Sequence, residues 1–112
     1  METKDVISAL SALAHPARLA IFKQLVRSGK TGMAAGELAE SIRALANTTS
    51  TNLGILEVAG LIVSRRDGRH IRYSAHYAAT RDLMAYLVED CCGGHPEICG
   101  LLENRPLETV SC

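Results

Sequence analysis

Three of the four cysteines in this chain fall within nine residues, in the run Cys91-Cys92-Gly93-Gly94-His95-Pro96-Glu97-Ile98-Cys99. Thiolates are soft ligands and select soft ions. Three of them with no assured fourth donor suit a three-coordinate, lone-pair-bearing centre such as As(III) or Sb(III). Zinc asks for four ligands in a tetrahedron, and His95 or Glu97 would complete one. Cys91 or Cys92 pairing with Cys99 would instead make a redox or persulfide switch. In an unbroken helix Cys91 and Cys99 would stand about 12 Å apart along the axis, too far to share one ion. Gly93-Gly94 interrupts the helix and Pro96 stiffens the return, so the spacing allows Cys99 to fold back over Cys91 and Cys92. Cys112, at the end of the sequence, stands apart from this cluster.

The elements that position this cluster belong to a small protein. At 112 residues the chain is expected to be one domain with a modest core, short of a roomy enzyme cleft. Apolar residues reach 47%, yet no run approaches the ~18–20 needed to span a bilayer. Met1-Glu2-Thr3-Lys4-Asp5 starts no signal-type block. A cytoplasmic protein without a membrane partner is expected, with thiols kept reduced for ion binding or sensing. A thiol oxidoreductase is the remote alternative, but there is no Cys-x-x-Cys on a βαβ pattern and no evident base beside a nucleophile.

Formal net charge is zero, but its distribution is uneven. Residues 60–76 hold Arg65, Arg66, Arg69 and Arg72 against Asp67 alone, a local balance of +3, whereas residues 77–112 carry −4. A basic stripe beside an acidic tail is a directed field, and the stripe suits a phosphate backbone.

Apolar periodicity gives the elements. Val6, Ile7, Leu10, Leu13 and Ala14 predict a helix over 4–14, and Leu19, Phe22, Leu25 and Val26 a second. That second helix has Pro16 in its first turn, His15 near its cap and Gly29 at its end. A short helix over 35–42, a turn at Arg43-Ala44-Leu45-Ala46 and a helix over 48–59 follow. The last of these has Asn47 as its expected N-cap, and Thr49, Leu53 and Leu56 on one face. The period then changes to two. Runs 61–66 and 69–74 flank Asp67-Gly68, a dipeptide suited to a primed hairpin turn with positive φ at both positions. A last helix is expected over 79–91, capped by Thr80. The fold class is therefore mainly α with a two-stranded β-hairpin: a winged helix-turn-helix of five helices. The expected division is 1–92 for DNA binding and dimerisation, and 93–112 for a thiol-containing tail.

Several runs match, in order and spacing, those of the ArsR (ArsR/SmtB) family of small bacterial metal-responsive repressors, which this chain resembles over about residues 8–91. They are Ala12-Leu13-Ala14-His15-Pro16-Ala17-Arg18-Leu19-Ala20-Ile21, Gly36-Glu37-Leu38-Ala39-Glu40, Asn47-Thr48-Thr49-Ser50-Thr51-Asn52-Leu53, Leu56-Glu57-Val58-Ala59-Gly60-Leu61-Ile62, and Arg65-Arg66-Asp67-Gly68-Arg69-His70-Ile71-Arg72-Tyr73. Two positions depart from the pattern. Arg43 stands where many relatives carry glycine, and Asn52 where histidine is common.

The resemblance implies a homodimeric repressor on double-stranded operator DNA. Recognition helices read bases from their first turns. The expected DNA-binding set is accordingly Asn47, Thr48, Ser50, Thr51 and Asn52, with Arg65, Arg66, Arg69 and Arg72 supplying charge. Val6, Leu10, Leu13, Leu83, Met84 and Leu87 are the candidate dimer surface. One arsenic site of the family is a Cys-x-Cys near the start of the helix before the recognition helix; here that region holds Ala35, Gly36 and Ala39. The family's zinc pattern along the last helix, measured from His76, meets Ser74, Leu87 and Asp90 and is broken. A third group, responsive to arsenite, carries a Cys-Cys pair and a further cysteine after the last helix. That similarity assigns Cys91, Cys92 and Cys99 as ligands, with As(III) or Sb(III) as inducer and no permanent cofactor. A redox, persulfide, Zn or Cd response on the same fold is the alternative.

Overall fold

The computed structural model describes residues 1–88. The chain begins with α1 (Thr3–Leu13) and α2 (Pro16–Ser28), followed by one tight turn, Gly29–Thr31, and a two-residue strand β1 (Met33–Ala34). Helices α3 (Ala35–Ser41) and α4 (Ala46–Val58) come next, then strands β2 (Ile62–Asp67) and β3 (His70–Ala75), and finally α5 (Tyr77–Leu87). Five α-helices and an antiparallel sheet in the order β1-β3-β2 make a winged helix-turn-helix. The sheet has one more strand than the hairpin expected from sequence. A strand of two residues carries no periodicity of its own, and β1 forms only because Met33 and Ala34 pair with Tyr73 and Arg72.

The core gathers one stripe from each helix. Val6, Ala9 and Ala12 of α1 meet Ile21, Phe22 and Leu25 of α2, Leu38 of α3, Leu53 and Leu56 of α4, Leu61 and Ile62 beside the sheet, and Leu83 of α5. Exposed apolar residues remain on the outer faces of the first and last helices: Ile7 and Leu10 on α1, Met84 and Leu87 on α5. The expected dimer surface therefore divides. Val6 and Leu83 are buried in their own chain and Leu13 packs on that core, which leaves Leu10, Met84 and Leu87 facing outward.

The helix ends show where local chemistry set the boundaries. The α2 cap is His15, whose Nδ1 accepts from the Ala17 N–H at 3.1 Å, with Pro16 in the first turn. Helix α4 starts two residues earlier than expected, with Leu45 at the N-cap and Asn47 inside the first turn, so Asn47 is not the cap. Helix α5 starts at Tyr77, and its cap is His76, whose Nδ1 accepts from the Ala79 N–H. Thr80, expected as the cap, lies inside the helix and donates its hydroxyl to the His76 carbonyl. The expected helix beyond residue 88, the 92/93 boundary and all of Cys91, Cys92, Cys99 and Cys112 lie outside the described residues.

Two of the turns with positive φ shape the wing and the helix-turn-helix. In the hairpin, Asp67 pairs with His70, so the two turn residues are Gly68 and Arg69 rather than Asp67 and Gly68. Positive φ occurs at Gly68 (66°) and not at Arg69, the pattern of a II′ turn with glycine first. Between α3 and α4, Arg43 is the one non-glycine residue of positive φ (56°) among the described residues. A left-handed geometry is costly for any residue with a Cβ.

Candidate nucleic-acid interface

Helix α4 presents a polar face and buries an apolar one. Asn47, Thr48, Ser50 and Thr51 are exposed, and Thr49, Leu53 and Leu56 are buried. Thr51 donates its hydroxyl proton to the Asn47 carbonyl at 3.1 Å, which leaves Thr51 Oγ1 as an acceptor. The Asn47 Oδ1 accepts from the Thr48 N–H, so its amide NH₂ remains as a donor. With the hydroxyls of Thr48 and Ser50, the first two turns of α4 display donors and acceptors without charge. Such groups match base edges and phosphate oxygens.

Asn52 does not belong to that face. It is 6% exposed, and its Oδ1 accepts from Arg18 Nη1 at 3.2 Å. Arg18 Nε also donates to the Ala12 carbonyl at 2.6 Å. Arg18 thus bridges the last turn of α1, where the helix dipole favours a cation, to the inner side of α4. Asn52, expected to read DNA, instead turns inward, three residues after the buried Thr49 and one helical turn before the buried Leu56. Periodicity alone places Asn52 near Thr49 and Leu53 on the buried stripe, and this was the signal in the sequence that could have separated it from its polar neighbours.

The four wing arginines also divide. In the β2–β3 register Arg65 stands opposite Arg72. Like charges directly across a pair of strands repel. Here both guanidinium groups are engaged by backbone carbonyls. Arg65 donates to the carbonyls of Lys30 and Thr31, and Arg72 to those of Thr31 and Gly32, at 3.0–3.2 Å. Arg72 also lies 3.7 Å from Glu37, whose Oε1 accepts from the Ala34 N–H at the start of α3. These two arginines therefore brace the wing against the α2–β1 turn. Gly32 belongs to the same brace: a Cβ there would collide with the Tyr73 carbonyl. Arg66, opposite Ile71, projects from the other face of the hairpin, and Arg69 sits at its tip. Both are exposed, and neither has a hydrogen-bond or ion-pair partner among the described residues. The expected set of four cations thus contains two that are available to a phosphate backbone and two already holding the protein together.

His76 bears on the metal question, since its Nδ1 is used as the α5 cap. Among the described residues no cluster of three or more His, Cys, Asp or Glu side chains is placed to hold a metal ion. The expected ligands Cys91, Cys92 and Cys99 are outside those residues. No single described helix is long and apolar enough to cross a membrane.

Comparison with known proteins agrees with this architecture. A helix-turn-helix domain family matches residues 13–65. The nodulation protein NolR of Rhizobium meliloti is 36% identical over 98 residues, covering 88% of this chain and 75% of NolR. The uncharacterised HTH-type transcriptional regulator Rv0081 of Mycobacterium tuberculosis is 38% identical over 74 residues, 65% of this chain. The match spans only 62% of Rv0081's own length. Among solved structures, an ArsR-like transcriptional regulator from Rhodococcus sp. RHA1 superposes with a TM-score of 0.73 over 93% of this chain and 96% of its own, at 22% identity, a likeness of fold. The homodimeric winged helix-turn-helix DNA-binding domain of Mb0332 from Mycobacterium bovis, a possible ArsR-family transcriptional regulator, gives 0.64 at 28% identity, over 82% of this chain and 84% of that one.

Fold and interface define a winged helix-turn-helix protein of the architecture seen in transcriptional regulators. The chain belongs to the ArsR family. Rv0081 is named a transcriptional regulator, and the oxidoreductase alternative is set aside on that ground.

Proposed function

We propose that this chain is a homodimeric, cytoplasmic repressor that occupies near-palindromic operator DNA and leaves it when As(III) or Sb(III) is captured by Cys91, Cys92 and Cys99. The observation that carries the DNA half is the pairing of an uncharged hydrogen-bonding face on α4 with two wing cations, Arg66 and Arg69, that have no partner among the described residues. Bases are met by the first and phosphates by the second. One such helix covers one half-site, and two-fold repressors read half-sites about 34 Å apart, so a dimer is required. The homodimeric state of Mb0332 supports it, as do the outward apolar residues of α1 and α5.

The inducer half rests on the donor set. Three thiols within nine residues suit a trigonal soft ion, and the family's zinc pattern, measured from His76, is broken in sequence at Ser74, Leu87 and Asp90. The test begins by selecting a binding site from a random duplex library. Release from the selected duplex is then followed against As(III), Sb(III), Zn(II), Cd(II) and an oxidant, with Cys99→Ser as control. Release by As(III) or Sb(III), lost in Cys99→Ser, is expected. Release by zinc, cadmium or oxidant alone would replace the inducer, and failure to select any duplex would overturn the DNA reading.

A further inference from the structure

A groove runs between α1 and the recognition helix. Ser8, Ser11 and Ala12 form one wall, Thr51, Gly54, Ile55 and Val58 the other, and Arg18 also lines it. Its volume is ≈ 510 Å³, within the range of about 300–1,000 Å³ typical of small-molecule sites. Most of the lining is apolar, with hydroxyls at Ser8, Ser11 and Thr51 and a single charge. That charge is half-buried. Arg18 uses one N–H on the Ala12 carbonyl and one on Asn52, and no acidic side chain pairs with it among the described residues. A guanidinium carries five N–H donors in a planar fork, so three remain to be satisfied. Partly desolvated and without a counter-ion, it favours a carboxylate, which a guanidinium binds through two parallel hydrogen bonds.

We infer that this groove is a binding site for a small amphipathic carboxylate, with the carboxylate on Arg18 and the apolar body between Ala12, Ile55 and Val58. Charge complementarity selects the anion, and the apolar walls select an organic one over inorganic phosphate or a nucleic-acid backbone. The site also bears on regulation. Its occupant touches α4 beside Thr51, and it draws on the same guanidinium that holds α4 to α1 through Asn52. Bound carboxylate therefore shifts α4 against α1 and changes DNA affinity, and DNA changes carboxylate affinity equally. This coupling rests on the proposed DNA binding; occupancy of the groove does not.

The probe is 1-naphthoate, with 1-naphthamide as its uncharged counterpart, followed by amide NMR shifts on the full chain. Naphthoate is expected to move Ser8, Ser11, Thr51, Gly54 and Ile55, and naphthamide to bind about tenfold more weakly for loss of the charged hydrogen bonds. Arg18→Gln should equalise the two. Because that variant also disturbs the Asn52 bridge, Gly54→Leu is the second test. A Cβ on Gly54 meets no atom within 4 Å, so a leucine enters the groove rather than the core. It should abolish naphthoate binding with thermal stability unchanged or raised. Equal binding of the two probes, shifts elsewhere, no shifts, or binding that survives Gly54→Leu overturns the site. Displacement of naphthoate by any duplex, with a lower salt slope in Arg18→Gln, would make Arg18 a phosphate contact and also overturn it. Naphthoate binding in a protein that binds no duplex would leave the site standing and remove only the DNA reading.

Discussion

At the scale of single residues, side chains of one type do different work according to what they touch. Arg66 and Arg69 are exposed and without a partner among the described residues, whereas Arg65 and Arg72 donate to the carbonyls of residues 30–32. Neutralising a phosphate contact removes about one released counterion, so Arg66→Ala and Arg69→Ala should each lower the slope of log K against log salt by about 1. Arg65→Ala and Arg72→Ala should leave the slope within error and instead destabilise the fold by about 1–2 kcal/mol, more for the less exposed Arg72. Salt titrations and chemical denaturation of the four variants separate the roles, and equal slope changes in all four would refute the division. Thr49 gives a second residue-level expectation. Its Oγ1 is fully buried on α4 without a hydrogen-bond partner among the described residues. Leaving a buried hydroxyl unsatisfied costs about 1–3 kcal/mol, so Thr49→Val should stabilise the protein by about 1 kcal/mol, read as a raised denaturation midpoint. A lowered midpoint would mean the hydroxyl is satisfied after all.

At the scale of elements, what repeats was legible and what is solved once by tertiary contact was not. Helix stripes and the hairpin alternation recur every few residues, so α1 to α4, β2 and β3 follow from the pattern of Val6, Leu25, Leu53 and Ile62 with small errors at their ends. Those errors have local causes. The caps of α2 and α5 are histidines, which accept through Nδ1, and no preference for Ser, Thr, Asp or Asn would select His76 over Thr80. The strand β1, the Arg18–Asn52 bridge and the brace formed by Arg65 and Arg72 join residues 34 to 41 positions apart, or a two-residue strand to a distant one, and leave no periodic trace. Arg43 is the converse case. Glycine at this turn position was expected from the family, and the structure supplies the reason, a φ of 56°. Relief of about 1–2 kcal/mol of left-handed strain, less the extra chain entropy glycine brings to the unfolded state, gives an expected gain of about 0.5–1 kcal/mol for Arg43→Gly. A rise of a few degrees in Tm would register it. A fall would show that the Arg43 side chain makes interactions worth more than its backbone strain.

At the scale of the whole molecule, the proposed switch needs two copies and one energy link between thiols and DNA. The outward residues Leu10, Met84 and Leu87 lie on the first and last helices. A charge at Met84 faces solvent in one chain and apolar surface in a dimer, so Met84→Glu should dissociate the dimer in sedimentation while its circular dichroism stays native. Binding to a selected palindrome should then collapse, because each half-site must be held separately and the second contact no longer comes at high effective concentration. The link to the thiols is constrained more tightly. Moving operator occupancy from 99:1 to 1:99 requires the inducer to favour the DNA-free state by about 5.5 kcal/mol, about 10⁴-fold. Reciprocity then fixes the experiment: a saturating duplex must weaken As(III) binding by the same factor that As(III) weakens the duplex. Equilibrium titrations of As(III) with and without the selected duplex measure one factor, and duplex titrations with and without As(III) measure the other. Matching factors, both lost in Cys99→Ser, are the expected result. As(III) affinity unchanged by DNA, with three thiols still engaged, would leave an ion site on a DNA-binding protein with no switch between them.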